Sequence, residues 1–286
     1  MTTQAPTLAV TGSTGALGGL VARGLAARGV EQRLLVRSAS RAPDLPGASV
    51  VEFPGYGDRA AAVAALSGVR TLLMVSGAES ADRLEQHRTF VDAAAEAGVA
   101  HVVYTSFQGA APDCTFTLGR DHHATEAHLT ASGLTTTFLR DSFYLDFLPD
   151  MAGEDGVIRG PAGDGRVAAV ARADVARSAV EVLIDPAAHA GATYDLTGPE
   201  ALTMTEVAET ITAATGRAVT FHDETVEEAY ASRRRWEAPQ WQYDAWVSTY
   251  VAMARGEVAT VSGDVARLTG REPMSLTDLL AERAAG

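Results

Sequence analysis

Lysine is missing altogether from the 286 residues, so all 23 basic side chains are arginine. Arginine keeps its proton in proteins, which excludes a Schiff-base amine, a lysine-assisted proton relay and any tyrosine–lysine couple for carbonyl reduction. Cysteine is almost missing too. Cys114 stands alone in a polar stretch, so no intrachain disulfide can form, and without an activating base nearby the thiol reads as inert. No apolar run is long enough to span a bilayer, and nothing reads as a secretory leader. The cytosol is the expected compartment. Positive charge is scarce: 23 basic against 36 acidic residues give a formal net charge of −13, which argues against nucleic acid and anionic membranes as main partners. Aromatics make up only 6 % of the chain.

Glycine, by contrast, is concentrated where it matters. Gly12-Ser13-Thr14-Gly15-Ala16-Leu17-Gly18 follows the short apolar run Thr7–Thr11 and precedes Leu20, Val21 and Leu25 at helical spacing. Strand, glycine turn, helix is the order that places a pyrophosphate on the unpaired N–H groups of a helix start. Gly12 suits the tight turn, Gly15 admits the phosphates and Gly18 lets the helix lie close to the strand. The spacing is G-x-x-G-x-x-G, which shifts the middle glycine of the commoner dinucleotide motif. At the end of the second strand, Gln32–Val36, the chain carries Arg37, with no acid until Asp44. An acid there would hold the 2′-hydroxyl of NAD, whereas an arginine accommodates the 2′-phosphate of NADP. The expected cofactor is NADP(H).

Strands and helices alternate through the first half: strands near 48–53, 71–76, 101–105 and 135–140, helices near 58–66, 80–96 and 117–131. That rhythm predicts an α/β, Rossmann-type doubly wound parallel sheet with right-handed crossovers and a smaller, mainly helical C-terminal substrate lobe. The expected division is a dinucleotide-binding domain over residues 1–150 and a substrate lobe over 151–286, with part of 165–200 returning to the sheet. Residues 153–165 read as a long loop, Asp174 as a helix cap, and Thr203 with Glu206 and Ser275 with Asp278 as capping boxes.

Ligands in such sheets lie beyond the carboxyl ends of the strands. This selects Val75-Ser76, Tyr104-Thr105-Ser106-Phe107 and Asp141-Ser142-Phe143-Tyr144. Ser76 and Ser106 either bond the ribose or nicotinamide or simply end strands. On the helix at 117–131, His122, Thr125 and Glu126 share a face, so His122 and Glu126 are expected to pair. A carboxylate beside the imidazole would raise its pKa and favour the proton-donating form. His122 then either serves the reaction or ties helix to sheet. His122, His123 and His128 place no three ligands on one face, so no metal site is expected. His87 reads as a satisfied core histidine. All three tryptophans, Trp236, Trp241 and Trp246, fall in one short stretch, where they either line a substrate pocket or pack the lobe or a subunit contact.

These residues resemble a known family. Thr11 through Gly18, Val36-Arg37-Ser38 and Tyr56-Gly57-Asp58 are similar to the atypical short-chain dehydrogenases of the NmrA-like group. Gln86-His87-Arg88, Tyr104-Thr105-Ser106, His122–Glu126 and Arg172-Ala173-Asp174 resemble its branch of bacterial type-2 NAD(P)H:quinone oxidoreductases. The resemblance implies cofactor contacts from Gly12, Ser13, Thr14, Gly15, Ala16, Leu17, Gly18, Arg37, Val75, Ser76, Tyr104, Thr105 and Ser106. Departures are Gly55, where relatives carry Asp, and Asp141-Ser142, where they carry Asn-Gly. The expected activity is hydride transfer from NADPH to a quinone or similar flat conjugated acceptor. His122, Glu126, Tyr104 and Tyr144 are the catalytic candidates; Phe107, Asp141, Phe143, Trp236 and Trp241 are the substrate candidates. The alternatives are an NADP-binding redox sensor without catalysis, or a biosynthetic enone or imine reductase or isomerase. A second copy of the chain is the candidate partner for assembly.

Overall fold

Short apolar runs bounded by glycine turns build the framework, as β1 (Leu8–Thr11), β2 (Gln32–Val36), β3 (Ala48–Glu52), β4 (Thr71–Met74), β5 (His101–Phe107) and β6 (Thr135–Asp141). Between them lie α1 (Ala16–Ala27), α2 (Arg59–Leu66), α3 (Arg83–Glu96) and α4 (Thr117–Ala131). The chain continues through β7 (Val157–Gly160), β8 (Arg166–Val167), α5 (Arg172–Ile184), β9 (Thr193–Leu196), β10 (Leu202–Thr203) and α6 (Met204–Thr215). It finishes with β11 (Thr220–Asp223), α7 (Val226–Arg233), α8 (Gln240–Ala254), α9 (Asp264–Thr269) and α10 (Leu276–Ala285). The structure is a computed structural model that describes residues 6–285.

Seven strands form one sheet in the order β3-β2-β1-β4-β5-β6-β9. The pairs β1–β2, β1–β4, β2–β3 and β4–β5 are all parallel. From β1 the chain winds outward to β3, then returns to β4 on the other side, so the order reverses between β1 and β4. This is the doubly wound arrangement that the alternation of elements predicts, and it fixes the carboxyl ends of β1 and β4 as the place for ligands.

Two compact units emerge, and neither is one continuous stretch. The first comprises residues through Ser106, Asp121–Arg140 and Val175–Tyr194; the second comprises Phe107–Arg120, Asp141–Asp174 and residues from Asp195 onward. The first packs Leu66, Leu72, Met74, Phe90 and Tyr104 into one core, and the second packs Leu148, Ile158, Met204, Ala252 and Leu276 into another.

Two local expectations change. Residues 153–165 are not all loop, because Val157–Gly160 forms β7 and pairs in parallel with β11, Val157 opposite Thr220. With two apolar residues between Gly156 and Gly160, β7 is too short to show a period, and its partner is distant in sequence. Asp174 lies inside the first turn of α5, two residues past its start at Arg172, and not at the cap position ahead of it; its Oδ2 accepts from the Met274 N–H at 2.7 Å. The capping boxes hold. Thr203 and Glu206 exchange both bonds at the start of α6, and Ser275 and Asp278 do so before α10.

Candidate functional site

At the carboxyl end of β1 the backbone turns through Gly12, whose φ of +66° a side chain rarely adopts. A Cβ there would also stand 3.2 Å from Val75 Cβ. Gly15 N–H closes the turn on Gly12 O at 2.8 Å, and α1 starts one residue later. Gly15 has no side chain to cap that start and the first turn holds no acid, so no side chain caps the orphan N–H groups at the positive end of the helix dipole. A Cβ on Gly18 would lie 2.4 Å from Gly12 O and 2.7 Å from Thr11 O, so α1 rests directly on the turn. Thr14, Gly15 and Ala16 are exposed, while Ser13 is buried with its Oγ lacking a partner among the described residues.

Thr11 binds this turn to the neighbouring strand. Its hydroxyl donates to Leu73 O at 3.1 Å and accepts from the Val75 N–H at 2.9 Å. The Tyr56 hydroxyl, 2.6 Å from Thr11 Oγ1, donates to Val75 O at 2.6 Å, and its ring stacks on Phe90 with centroids 4.2 Å apart. One strand over, the Ser76 N–H donates to Thr105 Oγ1 at 2.8 Å. Beyond the end of β2, Arg37 is exposed and makes neither hydrogen bond nor ion pair among the described residues.

Beneath β4 and β5 lies a polar network of α3 and α4 residues. Gly77 N–H donates to His87 Nε2 at 2.8 Å, so Nδ1 carries the proton and donates to Thr125 Oγ1 at 2.9 Å. The Thr125 hydroxyl donates in turn to Asp121 O at 2.7 Å. His87 is thus the satisfied core histidine its spacing predicts. Burial, with Arg83 nearby, pushes its pKa down to about 3. Arg83 is itself buried and donates from Nε to Gly77 O at 2.9 Å and from Nη2 to His122 Nε2 at 3.0 Å. His122 therefore carries its proton on Nδ1, 3.0 Å from the Tyr104 hydroxyl.

The expected His122–Glu126 pair does not form. Glu126 accepts from Ser106 Oγ at 2.6 Å and from Arg140 Nε and Nη2 at 2.8 and 2.5 Å. The two side chains share a helix face, but Arg83 from α3 claims one and Arg140 from β6 claims the other. The expected rise in the His122 pKa is overturned with it. Burial, then Arg83, then His87 hold the imidazole well below its ordinary value, so it stays neutral at physiological pH. Tyr104 is fully buried, and burial raises its phenol. Arg83 and Arg140 are the residues that sequence reading missed; Arg83 falls one helical turn before His87, a spacing that could have revealed it.

Neutral histidines leave a mark on stability. Between about pH 7 and 5 the unfolded chain protonates His87, whose free pKa is near 6.5, while the folded chain does not. Stability should therefore fall as the pH falls, by about 2 kcal/mol from this side chain alone. Denaturant melts at both pH values should show that loss, and His87→Gln should flatten the slope. An equal slope in the variant would remove His87 from the account.

In the second unit, Phe107, Phe116 and Phe143 pack together with centroids 4.8–5.1 Å apart. Asp141 is buried, and its Oδ2 accepts from the Tyr144 hydroxyl. Burial, then Asp141, raise Tyr144 well above the ordinary phenol range. A cavity of about 480 Å³ opens between α7, α8 and β7, walled by Trp236, Trp246 and Tyr250; Trp241 is not on its lining. Among the described residues, no group of three His, Cys, Asp or Glu could hold a metal ion, and no helix is long and apolar enough to cross a membrane.

The NmrA-like family profile matches residues 4–234. Quinone oxidoreductase 2 of Escherichia coli is 33% identical over 277 residues, spanning 95% of this chain and 96% of that protein. An NAD(P)H azoreductase of Xenophilus azovorans is 31% identical over 280 residues, spanning 96% and 97%. The crystal structure of the Escherichia coli NADPH-dependent quinone oxidoreductase complexed with NADPH superposes with a TM-score of 0.88 at 32% identity, over 97% of this chain and 99% of that one.

Proposed function

Because the chain belongs to the NmrA-like family, we propose that it is an NADPH-dependent reductase that delivers hydride to a flat conjugated acceptor such as a quinone. The observation that carries this reading is the start of α1 with no side-chain cap, after β1, together with an Arg37 after the neighbouring strand β2 that is exposed and without a partner among the described residues. The residues present fit the cofactor: Ser13 Oγ is a buried donor without a partner among the described residues, and Gly15 keeps the turn clear of any Cβ. Gly12, Thr14, Gly15 and the N–H groups of Ala16, Leu17 and Gly18 would hold the pyrophosphate, and Arg37 the 2′-phosphate. Val75, Ser76 and Thr105 would border the nicotinamide end. When bound, NADPH supplies the hydride.

The chain's own part is to hold and orient. His122 is neutral and bonded at both ring nitrogens, so it acts as a positioning residue that fixes Arg83 and the Tyr104 hydroxyl. Glu126 does the same for Ser106 and Arg140. Tyr144 directs its proton to Asp141. A site with no strong acid suits an acceptor whose reduced oxygen is a stabilised phenolate, and this favours a quinone over a simple aldehyde.

NADPH consumption against a panel of quinones, azo dyes, enones, imines and aldehydes, with NADH as control, tests the reading. Quinones should be turned over and simple aldehydes should not. NADPH that binds but is oxidised by no acceptor would make the chain a sensor, and the reductase reading would be dropped.

A further inference from the structure

The cavity between α7, α8 and β7 has a composition the reductase reading does not require. Trp236 and Trp246 meet edge to face, with centroids 6.1 Å apart and planes at 77°, and Tyr250 forms another part of the wall. Tyr250 comes this close to β7 because residue 160 is glycine, where a Cβ would stand 2.3 Å from the ring. Three arginines, Arg159, Arg233 and Arg235, line the space with a single acidic residue, Asp150. Two of the three are already neutralised by carboxylates, so the positive charge the space can offer a ligand rests on the third.

The three arginines differ in what they already hold. Arg233 is buried, with Nη1 2.9 Å from Glu224 and Nη2 3.0 Å from Arg159 O. Arg159 is tied to Asp155 at 2.7 Å. Asp150 is largely exposed and lies 4.0 Å from Arg283. Arg235 is different: it makes no hydrogen bond or ion pair among the described residues. Its guanidinium instead lies 4.0 Å over the Trp236 ring. Stacking on an indole leaves the N–H edge of a guanidinium open, so it is pre-positioned for a carboxylate or sulfonate in its own plane. A volume of about 480 Å³ accommodates a fused two-ring system.

We propose that this cavity binds a flat aromatic anion, its ring system against Trp236, Trp246 and Tyr250 and its sulfonate or carboxylate on Arg235. The ligand is recognised by charge as well as by ring area. Binding here needs no cofactor, so the proposal stands or falls apart from the reductase reading.

Calorimetric titration of the full chain, without NADPH, with a naphthalenesulfonate and with the matching uncharged naphthalenesulfonamide tests it. The sulfonate should bind about tenfold more tightly than the sulfonamide. Arg235→Gln should bring the two to similar affinity, with Arg235→Lys keeping part of the difference. Trp236→Ala should weaken both by about fivefold or more. Arg235 and Trp236 are exposed, so neither change threatens the fold, and melting curves verify this. Equal binding of the two ligands, no binding of either, or a preference that survives Arg235→Gln would overturn the proposal.

Discussion

Arg37→Ala is expected to weaken NADPH by roughly 30- to 150-fold while leaving NADH within about twofold. The figure follows from losing charge-assisted hydrogen bonds to one phosphate, about 2–3 kcal/mol. NADH lacks that phosphate, so the change should fall on one cofactor alone. Arg37 is exposed and bonded to nothing among the described residues, so the melting temperature should not move. Steady-state KM for both cofactors, alongside a thermal melt, provides the measurement. A loss shared equally by NADPH and NADH would show that Arg37 does not select between them, and the choice of NADP(H) would be withdrawn.

Glu126→Ala should cost stability instead. The carboxylate is buried at 5% exposure and holds three donors, two of them on Arg140. Deleting it leaves Arg140 without this carboxylate and Ser106 Oγ without its acceptor, a penalty of about 3 kcal/mol for breaking a buried pair from one side. Arg140 is 28% exposed, so water recovers some of that and the lower part of the usual range applies. For a chain of this size the melting temperature should drop by roughly 6 °C. In an Arg140→Ala background Glu126→Ala should cost less than it does in the parent chain, because the two side chains share the same hydrogen bonds. If Glu126→Ala melts with the parent, the pair contributes nothing to the fold.

Whatever the sequence encodes locally, it displays. The run from β1 through the glycine turn into α1 is legible because a strand period, three glycines and a helical period follow one another without interruption. The boxes at Thr203–Glu206 and Ser275–Asp278 are legible for the same reason, since both partners lie within one turn. Arg37 is legible from its position after a strand. The partners of His122 and Glu126 are not, because their spacing on α4 says they face one way but not what waits there. Arg83 arrives from α3 and Arg140 from β6, and each outcompetes the neighbour four residues along the helix. That substitution of partners reverses the direction of the His122 pKa, from the expected rise to a fall. The strand β7 stays hidden because its partner β11 is made by a distant, weakly apolar stretch.

The sharing of Thr11 Oγ1 among Leu73, Val75 and Tyr56 joins the two strands on either side of the order reversal into one braced lip. Neither strand end can tilt without dragging the other, so the lip keeps its shape before any guest docks. Little ordering entropy is then left to lose on docking, and affinity there is governed by contacts rather than by rearrangement.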